Sequence, residues 1–166
     1  MPRSQGDATV ILSVLDRLID REPGNTAEAP LSRAQSVRIL KSAVRRDLEW
    51  LMNTRCNLTD PGESLREVSR SLYLFGLPDF SSYSMSSPGD HARLLRQILV
   101  AIKLFEPRLA NVRIVPLENT VIGLQRLRLR IDAMLLMDPA PEPVSFDAFI
   151  ELRSGVCRLT GDADAR

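Results

Sequence analysis

Few residue types in this chain can do chemistry, and most of those stand alone. The one histidine, His91, follows a Ser-Ser-Pro-Gly-Asp run. A Ser-His-Asp relay would have to use it, yet no G-x-S-x-G elbow or other nucleophile motif accompanies it. Cys56 and Cys157 lie far apart and match neither a disulfide framework nor a metal-ligand spacing. They read as two buried or half-buried thiols in a reducing compartment. No catalytic residue, metal ligand or cofactor site is therefore assigned.

Glu106 is a different case. In "LFEPRLANVRIVP", residues 104 to 116, an apolar helix runs into Glu106-Pro107-Arg108. A residue before proline is pushed out of the α region, so the helix stops at Phe105 or Glu106. A carboxylate there faces the negative end of the helix dipole, at a cost of ~0.3–1 kcal/mol. Glu106 either pairs with Arg108 or another arginine at the surface, or the rigid corner presents Glu106 and Arg108 to another chain. On the second reading, removing either charge should leave the monomer folded. Arg126, Arg128 and Arg130 form a second charged feature, a basic stripe on one strand face. Phosphate or an acidic partner would suit it, but Asp147 and Glu151 on the next strand predict ordinary cross-strand pairing.

The chain that must position these groups has 166 residues, enough for one domain with a sizeable core. Its 22 Lys+Arg against 21 Asp+Glu give no global field toward nucleic acid or acidic lipid. Aromatics at 5% argue against a base-stacking platform. The run "VILSVL" is short and followed by Asp16 and Arg17, unlike a signal peptide. No window approaches the ~20 apolar residues of a membrane span, so the expected location is cytoplasmic.

The fold class expected is α+β. An amphipathic helix is predicted over residues 8 to 20, with Leu12, Leu15, Leu18 and Ile19 on one face. It is either packed on its own domain or a docking element for a partner. A breaker-rich linker follows, with Pro23, Gly24, Asn25 and Pro30. The second helix, residues 32 to 54, starts on Ser32, turns Val37, Leu40, Val44, Leu48 and Leu51 inward, and leaves Arg38, Lys41, Arg45 and Glu49 on a solvated side. A third, over "ESLREVSRSLYL", would turn Leu65, Val68 and Leu72 inward and stop at Gly76. Ser87, Pro88 and Asp90 start a central helix to about Phe105, apolar nearly all round and hence buried on most sides. From Ala110 the period becomes two. Val112 and Ile114, then Leu127 to Ala133, then Val144 to Leu152 alternate inward, giving an antiparallel sheet with one wet face. Residues 1–31 form the expected amino-terminal helix and flexible linker, 32–159 the main domain, and 160–166 a disordered tail.

Five stretches carry a resemblance: "SVLDRLID" (13–20), "VRRDLEWLMNTR" (44–55), "FGLPDFSS" (75–82), "FEPRL" (105–109) and "VSFDAFIELRSG" (144–155). In this order they resemble the TssE family, type VI secretion baseplate subunits related to the small wedge protein of contractile phage tails. The resemblance implies a non-enzymatic, cytoplasmic structural protein with amino-terminal helices and a central helix packed on one face of a small antiparallel sheet. Such a protein helps assemble the baseplate wedge and docks or initiates the contractile sheath, whose strands add to that sheet. The partners implied are TssF, TssG and TssK, contractile sheath proteins, and the spike as a further candidate, with no nucleic acid and no membrane span. The family's Glu-Pro-Arg signature falls on Glu106, Pro107 and Arg108. With Leu15 and Leu18 of the first helix, these are the expected protein-interaction residues. The linker after Asp20 and the "DPAPEP" loop are places where this chain can differ from its relatives.

Some phage relatives carry a lysozyme label, which sets the rival reading of a peptidoglycan-cleaving hydrolase. That chemistry needs two carboxylates ~5–5.5 Å or ~6.5–9.5 Å apart. Glu106 would be one, and Glu118 or Asp132 the second. Scarce aromatics and the absence of a readable export signal weigh against it. A generic cytoplasmic adaptor is the remaining alternative.

Overall fold

The computed structural model describes residues 10–19, 23–24, 31–57, 62, 64–84, 87–117 and 126–161. Helices come first: α1 (Val14–Leu18), α2 (Arg33–Asn53), α3 (Arg66–Ser69), a 3-10 turn (Leu72–Leu74) and α4 (Pro88–Phe105). Four strands follow: β1 (Leu109–Pro116), β2 (Arg126–Leu135), β3 (Glu142–Glu151) and β4 (Cys157–Gly161). They form one antiparallel sheet in the order β1-β2-β3-β4. This is the α+β architecture expected, with α2 and α4 contributing the helical side of one core.

Capping explains where the two long helices begin. Ser32 accepts the N–H of Gln35, and the Gln35 side chain returns to the Ser32 N–H, closing a capping box. Ser87 accepts the N–H of Asp90 with Pro88 at the first helical position. The inward stripe of α2 is Leu40, Val44, Leu48, Leu51 and Met52, that of α4 Leu94, Ile98, Ala101 and Ile102. These meet Leu127, Leu129, Ile131 and Leu135 of β2 and Val144, Phe146, Ala148 and Ile150 of β3. Full burial of each large apolar side chain here contributes ~1.5–3 kcal/mol.

Four expectations need correction. The first helix spans Val14–Leu18, not 8 to 20, with residues 8, 9 and 20 outside the described residues. The third is a single turn, because Leu65 and Leu72 are exposed and bury nothing that would extend it. On α4 an outer stripe stays open, with Val100 63% exposed. The charged side of α2 is not simply solvated. Lys41 pairs with Glu142 at 2.7 Å, and Arg45 donates to the Leu159 carbonyl at 3.3 Å. Of the linker only Pro23 and Gly24 lie within the described residues, and 162–166 of the tail lie outside them.

The wet sheet face pairs as expected. Asp147 accepts from Arg128 at 3.1 Å and Arg130 at 3.0 Å, and Glu151 from Arg126 at 3.4 Å. The two sheet edges differ. On β4, Asn53 donates to the Cys157 carbonyl and accepts its N–H, both at 2.8 Å, while Arg45 takes the Leu159 carbonyl. Side chains of α2 thus occupy that edge. Among the described residues β1 pairs with β2 alone, through a bulge between Ala110 and Arg113 at which Asn111 has φ 54°.

Candidate functional site

Glu106 caps α4 with φ −122° and ψ 75°, so the helix ends where proline requires. Its side chain does not reach outward. Glu106 is 3% exposed, and Arg108 forks back onto it, Nε to Oε1 at 2.6 Å and Nη2 to Oε2 at 2.5 Å. The pairing with Arg108 is present, but it is internal rather than at the surface. Two guanidinium bonds offset the unfavourable dipole and the loss of water around the carboxylate. These bonds, above all, push the Arg108 guanidinium above its ordinary value. Pro107 is exposed, and the Arg108 side chain keeps 26% of its surface. The corner therefore shows Pro107 and the outer part of Arg108, with Glu106 turned in.

The fork continues into a chain of charges. Arg108 Nη2 also donates to Asp47 Oδ2 at 2.7 Å. Arg46 donates to Asp47 Oδ1 from Nε at 2.9 Å and Nη2 at 2.8 Å. Arg46 Nη2 also lies 3.0 Å from Asp16 Oδ1 on α1. Ser13, the N-cap of α1, donates its hydroxyl to Asp16 Oδ2 at 2.5 Å. Burial pushes the Asp16 carboxyl up, but the Ser13 hydroxyl and the Arg46 guanidinium outweigh it and hold the group below its ordinary range. The sequence gives each of these charges singly, and only the fold strings them together.

That chain fixes the orientation of α1. The helix turns its aspartate inward and its leucines out: Asp16 is buried, while Leu15 is 48% and Leu18 77% exposed. Val14, Ile11 and Ile19 are exposed as well. Val10 and Leu12 anchor the segment against the core, and the Val10 N–H reaches the buried Ser36 hydroxyl at 3.1 Å. Trp50, over half exposed, stacks under Arg46 at 5.0 Å. An apolar surface thus stands outward on a polar foundation, the reverse of an ordinary amphipathic helix.

The five residues singled out from the sequence fall into two groups, Glu106-Pro107-Arg108 and Leu15-Leu18. Asp47, Arg46 and Asp16 join them. Sequence reasoning missed all three joining residues, although "VRRDLEW" held two of them. Neighbours at i and i+1 do not face one another on a helix by spacing alone, so the Arg46–Asp47 bond gave no periodic signal. The other groups with chemistry are elsewhere. Asp132 accepts the Ser145 hydroxyl at 2.7 Å, and Glu118 lies outside the described residues. His91 sits in the first turn of α4. Burial pushes the Cys157 thiol up to about 12, which leaves it a packing group rather than a nucleophile.

A family model described as baseplate wedge protein gp25 matches residues 38–140. The matched span runs from within α2 through the Glu106–Arg108 corner and β2 into the turn before β3, and exceeds half of the chain. No curated protein and no solved structure matches.

Proposed function

The chain belongs to the baseplate wedge protein gp25 family, and from that premise we propose that it is a type VI secretion baseplate subunit that docks the contractile sheath. A structural role in a phage-tail-like baseplate comes with the family. The finer reading is that the protein works in the cytoplasm with TssF, TssG and TssK and seats the first sheath ring by strand addition. Residues 32–159 would form the wedge domain and residues 1–31 a docking arm for wedge partners through Leu15 and Leu18. Glu106, Pro107 and Arg108 would set the corner against which those partners close.

The observation that supports sheath docking is the inequality of the sheet edges. Asn53 and Arg45 block β4, whereas among the described residues β1 is paired on one side only. The Leu117 N–H reaches the Arg128 carbonyl on β2 at 2.9 Å, so the strand's alternation turns the Ile114 N–H and C=O to the outer side. An edge of this kind is a template for another strand.

Substitution at that position tests the reading. Ile114→Pro removes the outward donor, a change that edge strands tolerate. Ile114→Val keeps the donor and most of the side chain. Sheath assembly in cells should survive Ile114→Val and fail with Ile114→Pro, with both proteins folded by thermal melting. Normal sheaths in the Ile114→Pro strain would overturn strand addition at β1.

A further inference from the structure

A second contact surface lies on the helical side of the fold, lined by residues of neither β1 nor α1. Arg93, Arg96, Val100 and Leu104 follow one another at three- and four-residue steps along α4 and so share a stripe. Facing them, Leu74 and Pro78 complete a groove of about 570 Å³ whose lining is mainly apolar. Val100 is 63% and Leu104 37% exposed. The floor is thus open to solvent along its length, as suits a peptide segment more than an enclosed small molecule.

The groove is preformed. Its loop bank is tied to the end of α2 by the Cys56 N–H on the Leu77 carbonyl at 3.0 Å and the Leu77 N–H on the Thr54 carbonyl at 2.9 Å. Gly76, at φ 118°, permits that approach, since a Cβ there would stand 2.5 Å from the Thr54 carbonyl oxygen. Phe75 and Phe105 brace the helix bank edge-to-face at 5.2 Å.

Charge identifies the occupant. Arg93 lies over the Tyr83 ring at 5.7 Å, and Arg96 Nε donates to the Ala92 carbonyl at 3.3 Å. Among the described residues neither guanidinium has a carboxylate partner. One end of an apolar groove therefore carries two uncompensated cations. A second copy laid groove to groove would bring the same arginines and no anion. We propose that this groove between α4 and the Leu74–Pro78 loop receives an acidic amphipathic segment of a partner protein. The segment's apolar side chains cover Val100 and Leu104, and its Asp or Glu side chains meet Arg93 and Arg96. This assignment does not rest on strand addition at β1, and each can fail without the other.

The test places a photo-crosslinking amino acid at Val100 of the full chain, in cells carrying the native secretion machinery. The crosslinked segment is then sequenced by mass spectrometry. The expected product is one segment of another protein with apolar residues within a turn or two of Asp or Glu. The double variant Arg93→Glu/Arg96→Glu should cut crosslinking by about tenfold or more, because like charges across a contact are strongly disfavoured. Reversing the partner's carboxylates to lysine should restore it. Both arginines are exposed, so the variant should melt as the parent does. Crosslinks to this chain or a second copy, to a segment without carboxylates, or at undiminished yield after charge reversal would each overturn the assignment, as would no crosslink at all.

Discussion

Arg108 closes a fork on Glu106, two residues earlier in the chain, and with its Nη2 group also reaches Asp47 on another helix. The corner that a proline makes rigid is therefore also fastened to α2. A partner that engages Arg108 or Pro107 pulls on a group wired through Asp47 and Arg46 to α1.

The first prediction corrects the expectation that both charges are dispensable to the monomer. Arg108→Ala leaves Glu106 buried and unpaired, a situation that costs ~3–5 kcal/mol in buried pairs. The residual exposure of Arg108 favours the lower end of that range. Glu106→Ala should cost less, because Arg108 keeps Asp47. Urea denaturation of both variants checks the order, and equal stability of Arg108→Ala and the parent would contradict a buried pair.

A second prediction concerns pH. The folded Asp16 carboxyl titrates below the ordinary aspartate value of 3.8. Its contribution is thus fully present above that value and is lost as pH falls through the lower, folded one. Amide exchange of residues 10 to 19, corrected for intrinsic rates, should show protection at neutral pH that fades only below about pH 4. Asp16→Asn should weaken protection at neutral pH and remove its acid dependence. An unchanged acid profile in Asp16→Asn would assign the effect to another group.

A third prediction concerns the closed edge. Asn53→Ala strips both hydrogen bonds from the backbone of Cys157. Leaving such groups without partners costs ~1–3 kcal/mol. The Cys157 amide should then exchange faster, and the variant should self-associate more readily through the uncovered strand. Parental exchange at Cys157 would show that Asn53 is not what closes β4.

Much of this fold was legible because its signals are local. The alternation of Leu127 to Ala133 and Val144 to Leu152 named the buried face of β2 and β3 residue by residue. Ser32 and Ser87 announced their helices through side chains that reach three residues along the same chain. Leu65 and Leu72 misled because helical spacing shows that residues can share a face, not that anything exists to bury it. The site was half legible. Glu106 stood out by breaking a dipole rule, and Arg108 beside it was a natural partner. Asp16 and Asp47 broke no rule, and their roles depend on guanidinium groups that only tertiary packing brings within 3 Å. For α1 the expected stripe holds only in part: Leu15 and Leu18 are both exposed, whereas Leu12 packs against the core and Ile19 lies beyond the helix. The ion pair of Asp16 with Arg46 holds the other side of α1 to the domain.

The central claim, that this wedge subunit receives a sheath strand on β1, is tested most directly by electron cryomicroscopy of the sheath-bound baseplate. The account predicts an added strand hydrogen-bonded along the outer side of β1 from Arg113 to Pro116, with α2 still covering β4. A β1 edge left open or covered by another wedge subunit, or a sheath strand on β4 with Asn53 displaced, would contradict it.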